Sequence, residues 1–156
     1  MKFSTREDMD VPLDALFALL TDFDYFERAA LRRGAEVQRD DAMRQPGPGM
    51  AWKARFQFRG RERRVRVELT QMQAPELLSY KGGSKALEGR MQIELLALSR
   101  KRSRMNIALE ITPRTLAARL MVQSMKLARA NLTRRFEQRI AGFARNLEER
   151  HGQTVG

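Results

Sequence analysis

Apolar residues recur along the last third of the chain at three- and four-residue spacings. They run from Leu116, Leu120, Met121, Met125 and Leu127 through Leu132, Phe136, Ile140 and Phe143 to Leu147. That is the period of an amphipathic helix. Between about Arg114 and Arg150 glycine occurs once, at Gly142, and proline not at all. Thr112-Pro113 predicts the start of the helix, a capping hydroxyl followed by a residue whose missing N–H does no harm there. Gly152 predicts its stop. One straight rod of this length would reach roughly 55 Å at 1.5 Å per residue, longer than a compact domain of this size is wide. A bend or frayed end is therefore expected near Gly142.

On a helical wheel the first half of this stretch has a wide apolar arc. Leu116, Leu120 and Leu127 form one flank, and Met121, Met125, Leu132 and Phe136 the other. Between them lie Ala117, Ser124, Ala128, Asn131 and Arg135, a small and polar midline where the greasiest residues would ordinarily be. Such a midline fits a helix that lids a cavity, with bulky walls and room between them. It fits equally a helix lying close on a sheet, with Ser124 bonded to its own backbone. In the first case Ala128→Phe should fill open space and block an apolar ligand at little cost in stability.

The pattern differs earlier in the chain. Residues 2–9 alternate, with Phe3, Thr5, Glu7 and Met9 on one side, and predict a half-buried strand. Pro12 opens a short helix with Leu13, Leu16, Phe17 and Leu20 on one face, and Asp22 a second that closes at Gly34. From residue 35 to 112 the period is two. Met50, Trp52, Ala54, Phe56 and Phe58 make the cleanest strand; Val65, Val67 and Leu69, then Leu78 and Tyr80, then Met91, Ile93 and Leu95, then Met105, Ile107, Leu109 and Ile111 mark the inward positions of others. Pro46–Gly49 predicts a loop, and Gly82-Gly83 reads as a turn. The expected fold is α+β: a curved antiparallel sheet of about six or seven strands around a long C-terminal helix, with two short helices after the first strand. Residues 1–156 form one domain, and the sheet is covered on one side only.

This order resembles the SRPBCC superfamily, also called the START or Bet v 1-like helix-grip fold. The resemblance rests on Val11-Pro12-Leu13-Asp14-Ala15-Leu16-Phe17 after the first strand, with Asp22-Phe23 and Phe26 following. It rests also on Pro48-Gly49 leading into the Trp52 strand, and on Pro75-Glu76-Leu77-Leu78-Ser79-Tyr80 before two long strands and the final helix. It spans the whole chain and is specific for fold rather than for activity. It implies a hydrophobic cavity between sheet and last helix. Members bind lipids, quinones, polyketides and other apolar molecules; some are cyclases, and one branch associates with the ribosome.

Composition narrows the chemistry. There is no cysteine and a single histidine, His151, near the C-terminal end. Histidine- or cysteine-centred zinc sites and Ser-His or Cys-His nucleophiles are excluded. Glu68, Glu94 and Glu110 fall on arginine-bearing strand faces, where cross-strand pairing is their expected role. No glycine-rich phosphate loop is present, and neither a cofactor nor a metal is expected. The charged N-terminus and the lack of any apolar run of membrane-spanning length predict a cytoplasmic protein.

Lys plus Arg number 30 against 19 Asp plus Glu, a net charge of +11. Such an excess favours anionic partners, RNA or the ribosome or an acidic membrane surface, without choosing among them. Two clusters are candidate anion sites. One is the hairpin of Lys53, Arg55, Arg59, Arg61, Arg63, Arg64 and Arg66; the other is the turn of Arg100, Lys101, Arg102 and Arg104. Arg61, Arg63, Arg64, Arg100, Lys101 and Arg102 are the residues singled out. For an apolar ligand the candidates are Trp52, Phe56, Tyr80, Met91 and Met105 on the strands, with Leu120, Ser124, Ala128, Asn131 and Arg135 on the helix. The expected function is non-catalytic binding or carriage of an apolar small molecule or lipid in a cavity between the sheet and the last helix. The alternative is a basic interaction module for ribosome, nucleic acid or anionic membrane, and the third reading is a cyclase-type enzyme.

Overall fold

A computed structural model describes residues 1–58 and 60–155; Arg59, one of the cations assigned to the basic hairpin, lies outside them. The elements in order are β1 (Lys2–Met9), α1 (Leu13–Leu20), α2 (Phe23–Arg32), β2 (Glu36–Arg39), β3 (Ala51–Phe58) and β4 (Arg61–Gln73). They continue with β5 (Leu77–Gly83), β6 (Leu87–Ala97), β7 (Ser103–Pro113), α3 (Leu116–Leu127) and α4 (Arg129–Val155). The seven strands form one antiparallel sheet in the order β1-β7-β6-β5-β4-β3-β2. Consecutive strands joined by tight turns pair with each other, and β1 closes the far edge against β7. A register shift between Leu69 and Gln71 bulges β4, and such bulges add curvature to a sheet.

Cross-strand register fixes one inner face. Phe3 opposes Leu109, Glu7 opposes Met105, Ile107 opposes Ile93, and Ile93 opposes Leu78. On the other side Tyr80 opposes Leu69 and Val67 opposes Trp52. Trp52, Phe56, Val67 and Met105 thus share a face, as the alternation predicts. The helices cover only part of it: α4 packs on β1 and α1, α3 on β7, α2 on β2, and α1 on β6, while among the described residues no helix packs closely along β4 or β5. The core lies under α1 and the C-terminal half of α4, where Leu16, Leu20, Met105 and Leu147 are buried.

The long helical stretch departs from its sequence pattern in three places. Pro113 ends β7, and the N-cap is Thr115, whose hydroxyl accepts from the Ala118 N–H at 3.1 Å. Gly152 does not stop the helix, which continues to Val155. The break falls at Ala128, with φ −105° and ψ 21°, and Gly142 stays helical. Nothing local disfavours helix at Ala128. The cause is tertiary: α3 is held on β7 through buried Ala118 and Val122, whereas α4 is held on β1 by Phe136 against Phe3 (ring centroids 5.7 Å) and in the core by Ala144 and Leu147. One straight axis does not serve both surfaces.

Contacts at the far end lock α4 to α2. The Arg150 guanidinium stacks on the Tyr25 ring at 3.5 Å and pairs with Asp22 at 3.4 Å. Asp22 also caps α2 by accepting from the Tyr25 N–H, so one carboxylate serves both helices. Phe26 and Phe143 meet at 6.0 Å.

Candidate functional site: the open end of the inner sheet face

Trp52 is buried, and its indole N–H donates to Glu27 Oε1 at 2.8 Å. Its ring meets Phe23 at 5.4 Å and Tyr80 at 6.5 Å, with the Arg39 guanidinium 5.8 Å above it. Arg39 is fixed in turn by a two-point bond to Asp41, at 2.9 and 2.7 Å. Asp41 also accepts from the N–H groups of Ala51 and Met43. The Arg39 bond first, then those N–H groups, holds its carboxyl far below the usual carboxylate range. Trp52 is therefore a wall whose polar tip is already satisfied. Met105 is wholly buried in the core.

Tyr80 is placed differently. Its phenol makes no hydrogen bond among the described residues, and burial pushes its pKa up to about 12. It stands as a neutral donor on a half-buried apolar surface made by Phe56, Val65, Val67, Met91, Leu109 and Ile111. One row across this surface, Val67–Gly82–Gly89–Ile111, has no side chain at its two middle positions. Gly82 belongs to a strand rather than to a turn. A Cβ there would lie 2.8 Å from the Arg66 carbonyl oxygen, while a Cβ on Gly89 would meet nothing closer than 3.7 Å. The row therefore lacks side chains at its middle, and Gly89, whose Cβ would make one ordinary contact, has room for a side chain where Gly82 does not.

The five helix residues expected to line a cavity lie elsewhere. Leu120, Ser124, Ala128, Asn131 and Arg135 are all exposed. The wide arc of α3 is turned so that Ala118 and Val122 pack on the sheet, the smaller residues allowing the helix to approach β7 closely. Ala128→Phe consequently points into solvent and tests no cavity. Of the strand candidates, Phe56, Tyr80 and Met91 line the open surface and Trp52 borders it. The glycine row, Val67, Leu109 and Ile111 were legible as inward residues but not as neighbours, because cross-strand register alone brings them together.

The basic hairpin divides. Arg61 and Arg63 continue the inner parity of Val65 and Val67, with Arg63 opposite Phe56, and Arg64 faces outward. Among the described residues neither Arg61 nor Arg63 has an ion pair. Arg55 and Arg66 are paired, with Glu36 and Glu62 and with Asp40 and Glu68 respectively. Arg102 pairs with Asp10 at 2.9 Å, leaving Arg100 and Lys101 exposed on the β6–β7 turn. Glu68 and Glu110 pair with cations as expected, and Glu94 makes no ion pair among the described residues. Two depressions mark the outer face of the sheet. One of about 300 Å³ lies over β1, β7 and β6; the other, of about 390 Å³, is lined by Arg66, Glu68, Lys81, Lys85 and Arg114, with Gly82, Gly83 and Ser84.

The sequence matches the family described as polyketide cyclase / dehydrase and lipid transport over residues 1–148. The chain belongs to that family. Comparison with curated protein sequences gives no match. Among solved structures the SRPBCC-type fold of this chain is similar to that of Ara h 8.0201, with TM-score 0.65, 14% identity and 98% of each chain covered. It is similar also to the Zhui aromatase/cyclase from Streptomyces sp. R1128, with TM-score 0.67 and 10% identity over 100% of this chain and 96% of that one. A START superfamily protein from Mycobacterium smegmatis aligns with TM-score 0.57 and 8% identity over 88% and 97%. At these identities the likeness is one of fold, and SRPBCC domains of this shape include both ligand binders and cyclases.

Proposed function

We propose that this SRPBCC protein binds an apolar small molecule or lipid on the open end of its inner sheet face and carries it without chemical change. The observation that supports this most directly is the row Val67–Gly82–Gly89–Ile111, without side chains at its middle and beside a phenol that has no partner among the described residues. Half-buried aromatic, aliphatic and thioether groups suit a flat or flexible apolar body. Tyr80 offers one hydrogen bond to an oxygen on it, and Arg63 offers a cation at the rim for an acidic head.

Titration with a fluorescent fatty acid, together with native mass spectrometry of protein purified from its own host, tests the reading. Saturable probe binding displaced by a co-purifying apolar molecule is the expected result. Absence of both probe binding and a co-purifying molecule would overturn it.

Tyr80→Phe gives a residue-level check. Loss of one hydrogen bond, about 0.5–1.5 kcal/mol, should weaken an oxygen-bearing ligand roughly 2- to 12-fold and leave a pure hydrocarbon unaffected. The same variant should alter the alkaline pH profile. A phenol raised from 10.0 to about 12 stabilises the fold fully below pH 10, and that increment is lost as pH rises through 12. The wild type should therefore lose about 2–3 kcal/mol more than Tyr80→Phe across this window. Phenolate absorbance and denaturant melts would record it, and parallel profiles for the two proteins would place Tyr80 in water.

A further inference from the structure

Helix α3 is apolar on two opposite sides, and only one of them is packed. At about 100° per residue, Ala118, Val122 and Met125 share the sheet-facing side. Leu116, Leu120 and Leu127 lie within about 40° of one another on the opposite side. They are 74%, 62% and 92% exposed. Leucines opposite the packed face are not there to build the core, and an exposed apolar strip rimmed by polar groups marks an interaction surface.

The charges around the strip decide what covers it. Between Glu110 and Glu137 the sequence holds Arg114, Arg119, Lys126, Arg129, Arg134 and Arg135 and no carboxylate. Arg119 and Lys126 flank the leucines along one side of the helix. Apart from Arg114, which pairs with Glu88 at 3.5 Å, none of these cations has an ion pair among the described residues. Arg114 also borders the outer-face depression lined by Arg66, Glu68, Lys81 and Lys85. There Glu68 and Glu88 pair with Arg66, Lys81 and Arg114, so the unpaired cations are those along the helix itself. A second copy of the chain would bring no carboxylate from this stretch to meet these cations. A purely ionic partner would have no use for three bare leucines. A surface with anionic head groups above an acyl layer satisfies both features at once.

We propose that the outer face of α3 docks the protein on an anionic lipid surface, its leucines entering the acyl boundary while Arg119, Lys126 and their neighbours meet phosphates. No helix of the described residues is long and apolar enough to cross a membrane, so the contact is peripheral. It stands independently of any ligand on the inner face.

Co-sedimentation with phosphatidylcholine vesicles, with and without phosphatidylglycerol, tests this. The full chain should bind the anionic vesicles and not the neutral ones, and should be released by salt. Leu120→Ser with Leu127→Ser should weaken partitioning at least about tenfold, as should Arg119→Glu with Lys126→Glu. All four positions are exposed, so thermal melts should match the parent. With no native cysteine, Leu127→Cys carries a single environment-sensitive dye, whose emission should shift to the blue on anionic vesicles. The same dye on Gln92→Cys, on the outer face of β6, should not shift. Three outcomes would each overturn the proposal: no binding to anionic vesicles, serine variants that bind like the parent, or a native dimer that the serine variants dissolve. Loss of vesicle binding in the serine variants with fatty-acid binding retained would separate this surface from the inner-face site.

Discussion

Leu147→Ala should lower the stability of the protein by about 2–5 kcal/mol, and Ala128→Phe should change it by no more than about 0.5 kcal/mol. Leu147 is wholly buried and belongs to the same core cluster as Leu16, Leu20, Met9 and Met105. It is the deepest anchor that α4 has. Truncating it removes the transfer free energy of the lost methyl groups and leaves a cavity among side chains from α1, β1 and β7. Against a total of about 5–15 kcal/mol for a domain, that is a large fraction. Ala128 is exposed at the junction of α3 and α4, so its replacement adds a ring in water. Urea melts of the two variants check the pair. A small loss for Leu147→Ala, or a large one for Ala128→Phe, would mean that the helix runs unbroken with the Ala128 side turned to the sheet.

Gly89→Leu should abolish binding of a fluorescent fatty acid, a weakening of at least about tenfold, without destabilising the fold. Glycine inside a strand costs about 0.5–1 kcal/mol relative to alanine, and the backbone at Gly89 accepts a side chain. A Cβ there meets only the Gly82 carbonyl oxygen, at 3.7 Å. The added leucine would occupy the place between Val67 and Ile111 that has no side chain, so stability should hold or rise as binding falls. Opposite signs are the informative feature, since a variant that merely misfolds loses both. Gly82→Ala is the contrasting control. Its Cβ would press on backbone at 2.8 Å, and overpacking of that kind costs about 1–3 kcal/mol. If Gly89→Leu also cost 1–3 kcal/mol, the floor would be closed and no ligand would lie there. Unchanged probe affinity in a stable Gly89→Leu would put the ligand elsewhere.

The acidic and basic residues illustrate how far local pattern reaches. Alternation assigned Glu68 and Glu110 to the charged face of the sheet, and both pair with cations there. The hairpin run read as one basic patch, yet parity divides it, with Arg61 and Arg63 on the inner face and Arg64 on the outer. A strand sends alternate side chains to opposite faces, so a run of like charge in sequence is not a patch in space.

The sequence by itself determined the element order, the antiparallel sheet, the inner face and the family. Each of these depends on a period of two or of 3.6 repeated over many residues, and on local signals such as the Asp22 cap and the break at Gly34. Such signals act within one turn or one strand and survive any arrangement of the whole. Tertiary structure alone decided where the long helix breaks and which side of α3 is buried. A helix apolar on two sides carries no local preference between them. The choice went to Ala118 and Val122 because β7 must be approached closely, while α4 was held separately by Phe136, Ala144 and Leu147 against β1 and the core. The same holds for the candidate site: Tyr80, Val67, Gly82, Gly89 and Ile111 are scattered through 45 residues of sequence and become neighbours only through the register of four strands.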